Sequence, residues 1–374
     1  MNATLGATGT ICDLDQSAES RTIATARVTR IEPDYNQLPT ISPTPDFEDL
    51  AIPPSIGSRL EIPTKIERVG ADRLVELTLS GAICDIDDTC LQHSGYFIHD
   101  SATGRYALAT NSFLKEHGVN IPLTEFAGIW DSTFSKCLGI SHGDVCKLIC
   151  KTAWDLYGDR LSTPLTEETA KAFDKAVTAT FLTNFKSLMS RVEAMPKVKD
   201  LLDSCREIGV PVAACTASPR NVILPSLAQN GILNNFRVPT EVTGEDGHTK
   251  TVYSNLAVVA GAVKKDPNGI FSGSDVQQAA KLIGQSPSSC VMFGDTMSDV
   301  GAAKMAGVPV VVIRLSAPHD EVKTVEVQAR LAEEFRRAFE KAAQKNPSIN
   351  SGLTVYLVDD FSQVTVRNTN ATAA

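Results

Sequence analysis

The chain has 374 residues, with 43% hydrophobic residues, 21% charged residues and a formal net charge of −9. This composition excludes a wholly disordered chain and leaves room for two or so domains with a large core. The acidic balance argues against nucleic acid as a partner but not against a small anionic substrate in a locally positive pocket. Apolar runs are strand-sized, so no membrane partner is expected. Met1–Thr8 carry no basic region and no apolar stretch of signal length, so a cytoplasmic location is the default expectation. Nine cysteines occur without a C-x-x-C pair, several inside apolar runs, which suits reduced, buried thiols.

Residues 1–70 are crowded with prolines (Pro33, Pro39, Pro43, Pro45, Pro53, Pro54, Pro63) and show little periodicity, which predicts an extended N-terminal segment. Leu74–Leu79 and Ala82–Ile86 are apolar, β-prone runs. Helices are expected over about Arg105–His117, Gly143–Leu156 and Thr166–Val192, the second after an N-cap at Ser141. No strand pattern interrupts this block. Alternation then begins: a helix over Pro196–Ile208, a strand over Pro211–Cys215, and helices over Pro219–Gln229 and Ser274–Ile283. A strand over Cys290–Phe293 follows, then a helix over Asp299–Ala306 and a valine-rich strand over Val308–Ile313. The helix Val322–Gln344 and the strand Leu353–Val358 close the series. Strands separated by helices imply parallel βαβ units, and near-continuous apolar strands suit a sheet covered on both faces.

In such sheets ligands bind at the carboxyl ends of the strands. The first strand runs into Asp85-Ile86-Asp87-Asp88-Thr89. Alternate strand residues share a face, so Asp85 and Asp87 can reach one site. Two carboxylates so close repel unless a cation joins them, and a hard divalent metal suits their oxygens. The pair also allows one carboxylate to attack while the other handles the proton. A lone D-x-D is weak evidence, since Asp13-Leu14-Asp15 repeats it near the N-terminus, far from the alternation. The second strand ends in Thr216-Ala217-Ser218-Pro219. Thr216 could grip a phosphate oxygen there, while Ser218 reads as an N-cap with Pro219 at the first helical position. Lys264 lies between the second and third site strands and could neutralise phosphate and nucleophile together. The third strand ends in Gly294-Asp295-Thr296-Met297-Ser298-Asp299. Asp295 leaves at the same edge as Asp85, and Asp299 suits a helix start, orienting Lys264 or a metal-bound water.

In order and spacing these segments resemble the haloacid dehalogenase superfamily, in its phosphatase branch. Asp85-Ile86-Asp87-Asp88-Thr89 matches the D-x-D-x-[TV] motif and Val212–Thr216 the apolar strand ending in Thr or Ser. Lys264 matches the lysine motif, with Lys250 a rival, and Gly294–Asp299 matches G-D-x-x-x-D. Many relatives carry Gly where Asp88 stands. The resemblance implies an α/β fold: a Rossmann-like parallel core over 71–95 and 195–366, with an all-helical cap inserted over 96–194 and a short tail over 367–374. It implies Mg2+ held by Asp85, Asp295 and the Asp87 carbonyl, with Asp85 as nucleophile and Asp87 as proton donor and acceptor. Thr216 and Lys264 would bind the phosphoryl group of a small phosphorylated substrate. A phosphomutase would keep every one of these residues. A terpene cyclase built on the same fold, a terpenyl-phosphate phosphatase and a non-catalytic binding module are further readings. The cap candidates for choosing the substrate are His93, His99, Arg105 and Arg160.

Overall fold

The computed structural model describes residues 63–70, 73–92, 105–122, 139–161, 164–176, 179, 192–243, 248–315 and 324–369. The Asp13 motif, His93 and His99 lie outside these residues.

Seven parallel strands form the main sheet, in the order β1 (Lys65–Arg68), β10 (Thr354–Val358), β9 (Val310–Arg314), β8 (Cys290–Gly294), β3 (Gly81–Cys84), β4 (Val212–Thr216), β7 (Val258–Ala260). Strand β3, central and wholly buried, lies between β8 and β4. The pleat sends neighbouring residues to opposite faces. Ala82, Cys84, Val212, Ala214, Val291 and Phe293 pack with helices α3 (Val198–Glu207) and α4 (Arg220–Gln229). Ile83, Ala213, Cys215, Met292, Val311 and Ile313 pack instead with α5 (Ser274–Leu282), α6 (Met297–Ala306) and α7 (Val325–Lys345). Both faces are therefore covered, which is why these strands read as unbroken apolar runs.

The insertion after β3 contains α1 (Arg105–Glu116), α2 (His142–Tyr157) and helical residues over 167–176. It has a core of its own, in which Phe113, Ile149, Trp154 and Phe173 are buried together. Phe113 meets Phe173 edge-on, with ring centroids 5.6 Å apart. The two connections to the sheet run side by side: Gln92 N donates to Glu193 O (2.8 Å) and Met195 N to Cys90 O (2.9 Å). The fold is thus a Rossmann-like parallel core carrying a helical insertion.

Four features depart from expectation. Lys65–Arg68 lies within the segment expected to be an extension over 1–70, yet it pairs with β10 as an edge strand. Its sequence, Lys-Ile-Glu-Arg, has one apolar residue, because an edge strand needs little apolar surface. At the other terminus, Arg367 and Asn368 belong to β11 (Val364–Asn368) rather than to a tail. This strand pairs in parallel with β2 (Val75–Leu79) in a separate two-stranded sheet. Between α4 and β7 an antiparallel hairpin, β5 (Arg237–Thr243) and β6 (Thr249–Leu256), occupies a stretch in which no strand was expected. Pro239 sits where its register shifts, a position that suits a residue lacking the N–H. Finally, β3 ends at Cys84, so Asp85 and Ile86 lie beyond the strand.

Candidate active site

The strand tips carrying Asp85, Asp87, Thr216, Lys264 and Asp295 lie together, joined through turns and side-chain bonds rather than through the pleat of one strand. Asp85 follows β3 directly and donates its N–H to Phe293 O of β8 (2.8 Å). Its carboxylate is buried, with Oδ1 at 2.8 Å from Lys264 Nζ. The lysine, only 2% exposed, also donates to Asp299 Oδ1 at 2.7 Å. Lys264 thus bridges two buried acids. Lys250, its rival in sequence, sits in the hairpin opposite Val242.

Asp299 is fully buried and its oxygens are engaged. Oδ1 takes the lysine, while Oδ2 accepts from Asp295 N (3.2 Å), Thr296 N (3.0 Å) and Thr296 Oγ1 (2.9 Å). It therefore caps the start of α6 and orients Lys264 at once. Gly294 before it has no substitute: a Cβ there would lie 2.5 Å from the Asp299 Cγ.

Asp87 lies in the turn after β3, and its carboxylate faces the tip of β4. Thr216 Oγ1 donates to Asp87 Oδ2 (2.8 Å) and Ser218 Oγ to Asp87 Oδ1 (3.0 Å). Ser218 N in turn donates to Thr216 Oγ1 (3.1 Å). Ser218 does not cap α4, as its sequence position suggests: Pro219 is the N-cap residue and provides no side-chain bond. The hydroxyl is spent on the Asp87 carboxyl instead.

Asp295 follows β8, and Thr89 Oγ1 donates to its Oδ1 at 3.3 Å. Asp88 between these turn residues has φ 55°, in the left-handed region that glycine enters freely and aspartate tolerates. A short polar side chain can therefore hold this turn. Two residues near the site escape the sequence reading. Arg314 ends β9 and donates from Nη1 to Asp88 O (2.9 Å); its only signal is a cation at the tip of a valine-rich strand. Gly139 belongs to the helical insertion, and its carbonyl accepts from both Lys264 N (2.9 Å) and Lys265 N (3.0 Å). Nothing in sequence marks it. Arg160, by contrast, is exposed and lies over the Tyr157 ring.

Burial dominates the electrostatics. It pushes the Asp85 carboxyl up to about 8, against the pull of Lys264 and with repulsion from Asp299 and Asp87. Burial likewise drives Asp295 well above the usual carboxylate range, reinforced by Asp299, Asp88 and Asp85. For Lys264 burial opposes the charge, but Asp299 and Asp85 outweigh it and hold the amine well above the ordinary lysine value. One carboxylate oxygen from each of Asp85, Asp295 and Asp299 lies within 4.8 Å of the others. Since Asp299 is already engaged, Asp85 and Asp295 are left as hard oxygen donors whose ionisation a bound cation would favour. That donor set fits a divalent cation.

A model of the haloacid dehalogenase-like hydrolases matches residues 79–307, a span that holds Asp85, Asp87, Thr216, Lys264, Asp295 and Asp299. The chain belongs to this family. Membership makes the chain a hydrolase and agrees with its parallel core. No curated protein matches it. Among solved structures it is similar to a predicted phosphoglycolate phosphatase from Haemophilus somnus, with 17% identity and TM-score 0.45, over 76% of this chain and 95% of that one. A phosphonoacetaldehyde hydrolase-like protein from Oleispira antarctica gives 12% identity and TM-score 0.48, over 79% and 92%. A β-phosphoglucomutase from Clostridium difficile gives 15% and 0.41, over 70% and 100%.

Proposed function

We propose that this hydrolase is a magnesium-dependent phosphatase that cleaves a small-metabolite phosphate monoester through a phospho-aspartyl intermediate on Asp85. The observation that carries this reading is the pairing of buried Asp85 with Lys264, beside Asp295 and next to a second, separately held carboxylate, Asp87.

A carboxylate attacks phosphorus only where the negative charge of the phosphate is offset. Lys264 supplies a fixed cation at the nucleophile, and the Thr216 hydroxyl, whose hydrogen goes to Asp87 in the substrate-free site, would turn to a phosphoryl oxygen when substrate binds. Asp85 and Asp295, with the Asp87 carbonyl, would hold the magnesium ion. When bound, it would supply further charge neutralisation for phosphoryl transfer.

In the first step an Asp85 oxygen forms the bond to phosphorus as the ester P–O bond breaks. Asp87 gives its proton to the departing alkoxide. In the second step Asp87 takes a proton from water, whose oxygen attacks the phosphorus of the acyl phosphate. Inorganic phosphate leaves and the Asp85 carboxylate is restored. Ser218 and Thr216 fix the rotamer of Asp87 through its two oxygens. The helical insertion would serve as the lid that excludes water and selects the leaving group; the bonds from Lys264 and Lys265 to Gly139 bring its backbone against the site.

The test is phosphate release from a panel of phosphate esters with and without magnesium, for the wild type and Asp85→Asn. Turnover should need the metal and fall about 1,000-fold or more in the variant. Release that persists in Asp85→Asn would rule out the covalent route.

A further inference from the structure

Arg314 has no part in the chemistry above, yet it is an arginine only 4% exposed at the tip of a site strand. Burying a guanidinium is costly unless the surroundings answer its charge. Asp295, Asp88 and Asp360 all act on it electrostatically. In the sheet order β9-β8-β3, its side chain must pass the tip of β8, where Asp295 sits, to reach the turn after β3.

That turn is largely closed on itself. Asp88 N donates to Leu91 O (2.7 Å), and Cys90 N and Leu91 N both donate to Ile86 O (3.0 and 2.9 Å). Asp88 O is taken by Arg314 instead, at the residue whose φ is 55°. The next residue, Thr89, donates to Asp295 Oδ1. A continuous path therefore runs from Arg314 through the Asp88 carbonyl and the Thr89 hydroxyl to a carboxylate of the acidic cluster. The residue before Asp88 is Asp87.

We propose that Arg314 is a positioning residue: by clamping the Asp88 carbonyl it sets the turn that aims Asp87 and holds Asp295 in place to bind the cation. This inference rests on the metal-binding reading of the Asp85–Asp295 pair. The effect of Arg314 falls on magnesium affinity and on kcat, not on the Thr216 and Lys264 grip that KM reflects.

Charge and position predict opposite signs. An arginine that were only a nearby positive charge would repel the cation, so its removal would tighten magnesium binding. An arginine that orders the ligands loosens binding when removed, about tenfold or more, as for other groups that orient metal ligands. Magnesium binding is measured by isothermal titration calorimetry on the full-length metal-free chain, for the wild type, Arg314→Met and Arg314→Lys. The Met variant should bind magnesium about tenfold more weakly, with the Lys variant between it and the wild type, because an ammonium restores one donor but not the fork. With p-nitrophenyl phosphate, kcat should fall in the same order while KM stays within about twofold. Equal or tighter magnesium binding in Arg314→Met overturns the proposal. Should the Met variant fail to fold, wild-type magnesium binding by Arg314→Lys overturns it, and weakened binding with unchanged KM supports it. A wild type that takes up no magnesium sinks the metal reading and this inference together. A wild type that binds magnesium but releases no phosphate sinks only the phosphatase reading.

Discussion

Asp299 shows how one side chain can serve both fold and chemistry. Its two oxygens accept from Lys264 and from three groups of residues 295–296, so the start of α6 and the position of the site lysine depend on the same carboxylate. Removing it leaves Lys264 buried beside a single acid and strips the first turn of its acceptor. Asp299→Ala should therefore cost about 3–5 kcal/mol in urea unfolding, the range for breaking a buried ion pair from one side. It should also lower turnover, because Lys264 loses its orientation. A surface carboxylate gives a useful contrast: Glu334 makes an exposed pair with Arg330, and its loss should shift stability by about 0.5 kcal/mol or less.

Elements meet the site through close approaches that allow no larger side chain. Gly301 lies inside α6, where glycine is normally about 1 kcal/mol worse than alanine. Here a Cβ would fall 2.2 Å from the Phe271 ring, which packs on that face of the helix. Overpacking outweighs the gain in helix propensity, so Gly301→Ala should destabilise the protein by about 1–3 kcal/mol, read as a lowered Tm. A gain in Tm would show that the ring can move aside without cost. Phe271 follows the loop that carries Lys264, and Ser272 N donates to Lys264 O (2.9 Å), so a shifted ring should also depress turnover.

On the scale of the whole molecule, the acidic cluster sets a stability that depends on pH and on cation. Burial raises the Asp85 carboxyl to about 8, from an ordinary value near 3.8 in the unfolded chain. The folded state therefore holds a proton that the unfolded state releases between those pH values. Stability from this group is full below about pH 4 and is lost as pH rises toward 8. In the absence of divalent metal, the Tm of the wild type should fall relative to Asp85→Asn as pH increases through this window. Magnesium should raise the wild-type Tm most at the upper end, where the carboxylate is ionised. Differential scanning fluorimetry of both chains from pH 5 to 8 measures this; parallel curves would show that Asp85 is not held protonated by burial. Among the described residues no helix is long and apolar enough to cross a membrane, and the seven described cysteines are all buried and outside any disulfide.

The α/β alternation, and the order of the polar residues along it, are legible from local pattern alone. Period and turn chemistry are local properties, so Val212–Thr216 and Cys290–Gly294 can be read as strands without knowing their neighbours. Tertiary structure alone decided which hydroxyl serves which carboxylate. Ser218 reads locally as a helix cap, but Asp87, 131 positions away, offers its hydroxyl a carboxyl acceptor. The same holds for β1, whose four residues carry too little apolar pattern to be seen until β10 supplies the ladder. Arg314 is a single cation after a run of valines, and only the folding of β9 beside β8 brings it to the Asp88 carbonyl, 226 positions earlier in the chain. Long-range pairing leaves no local trace, because the partner that satisfies each group is chosen by the sheet order and not by the neighbours in sequence.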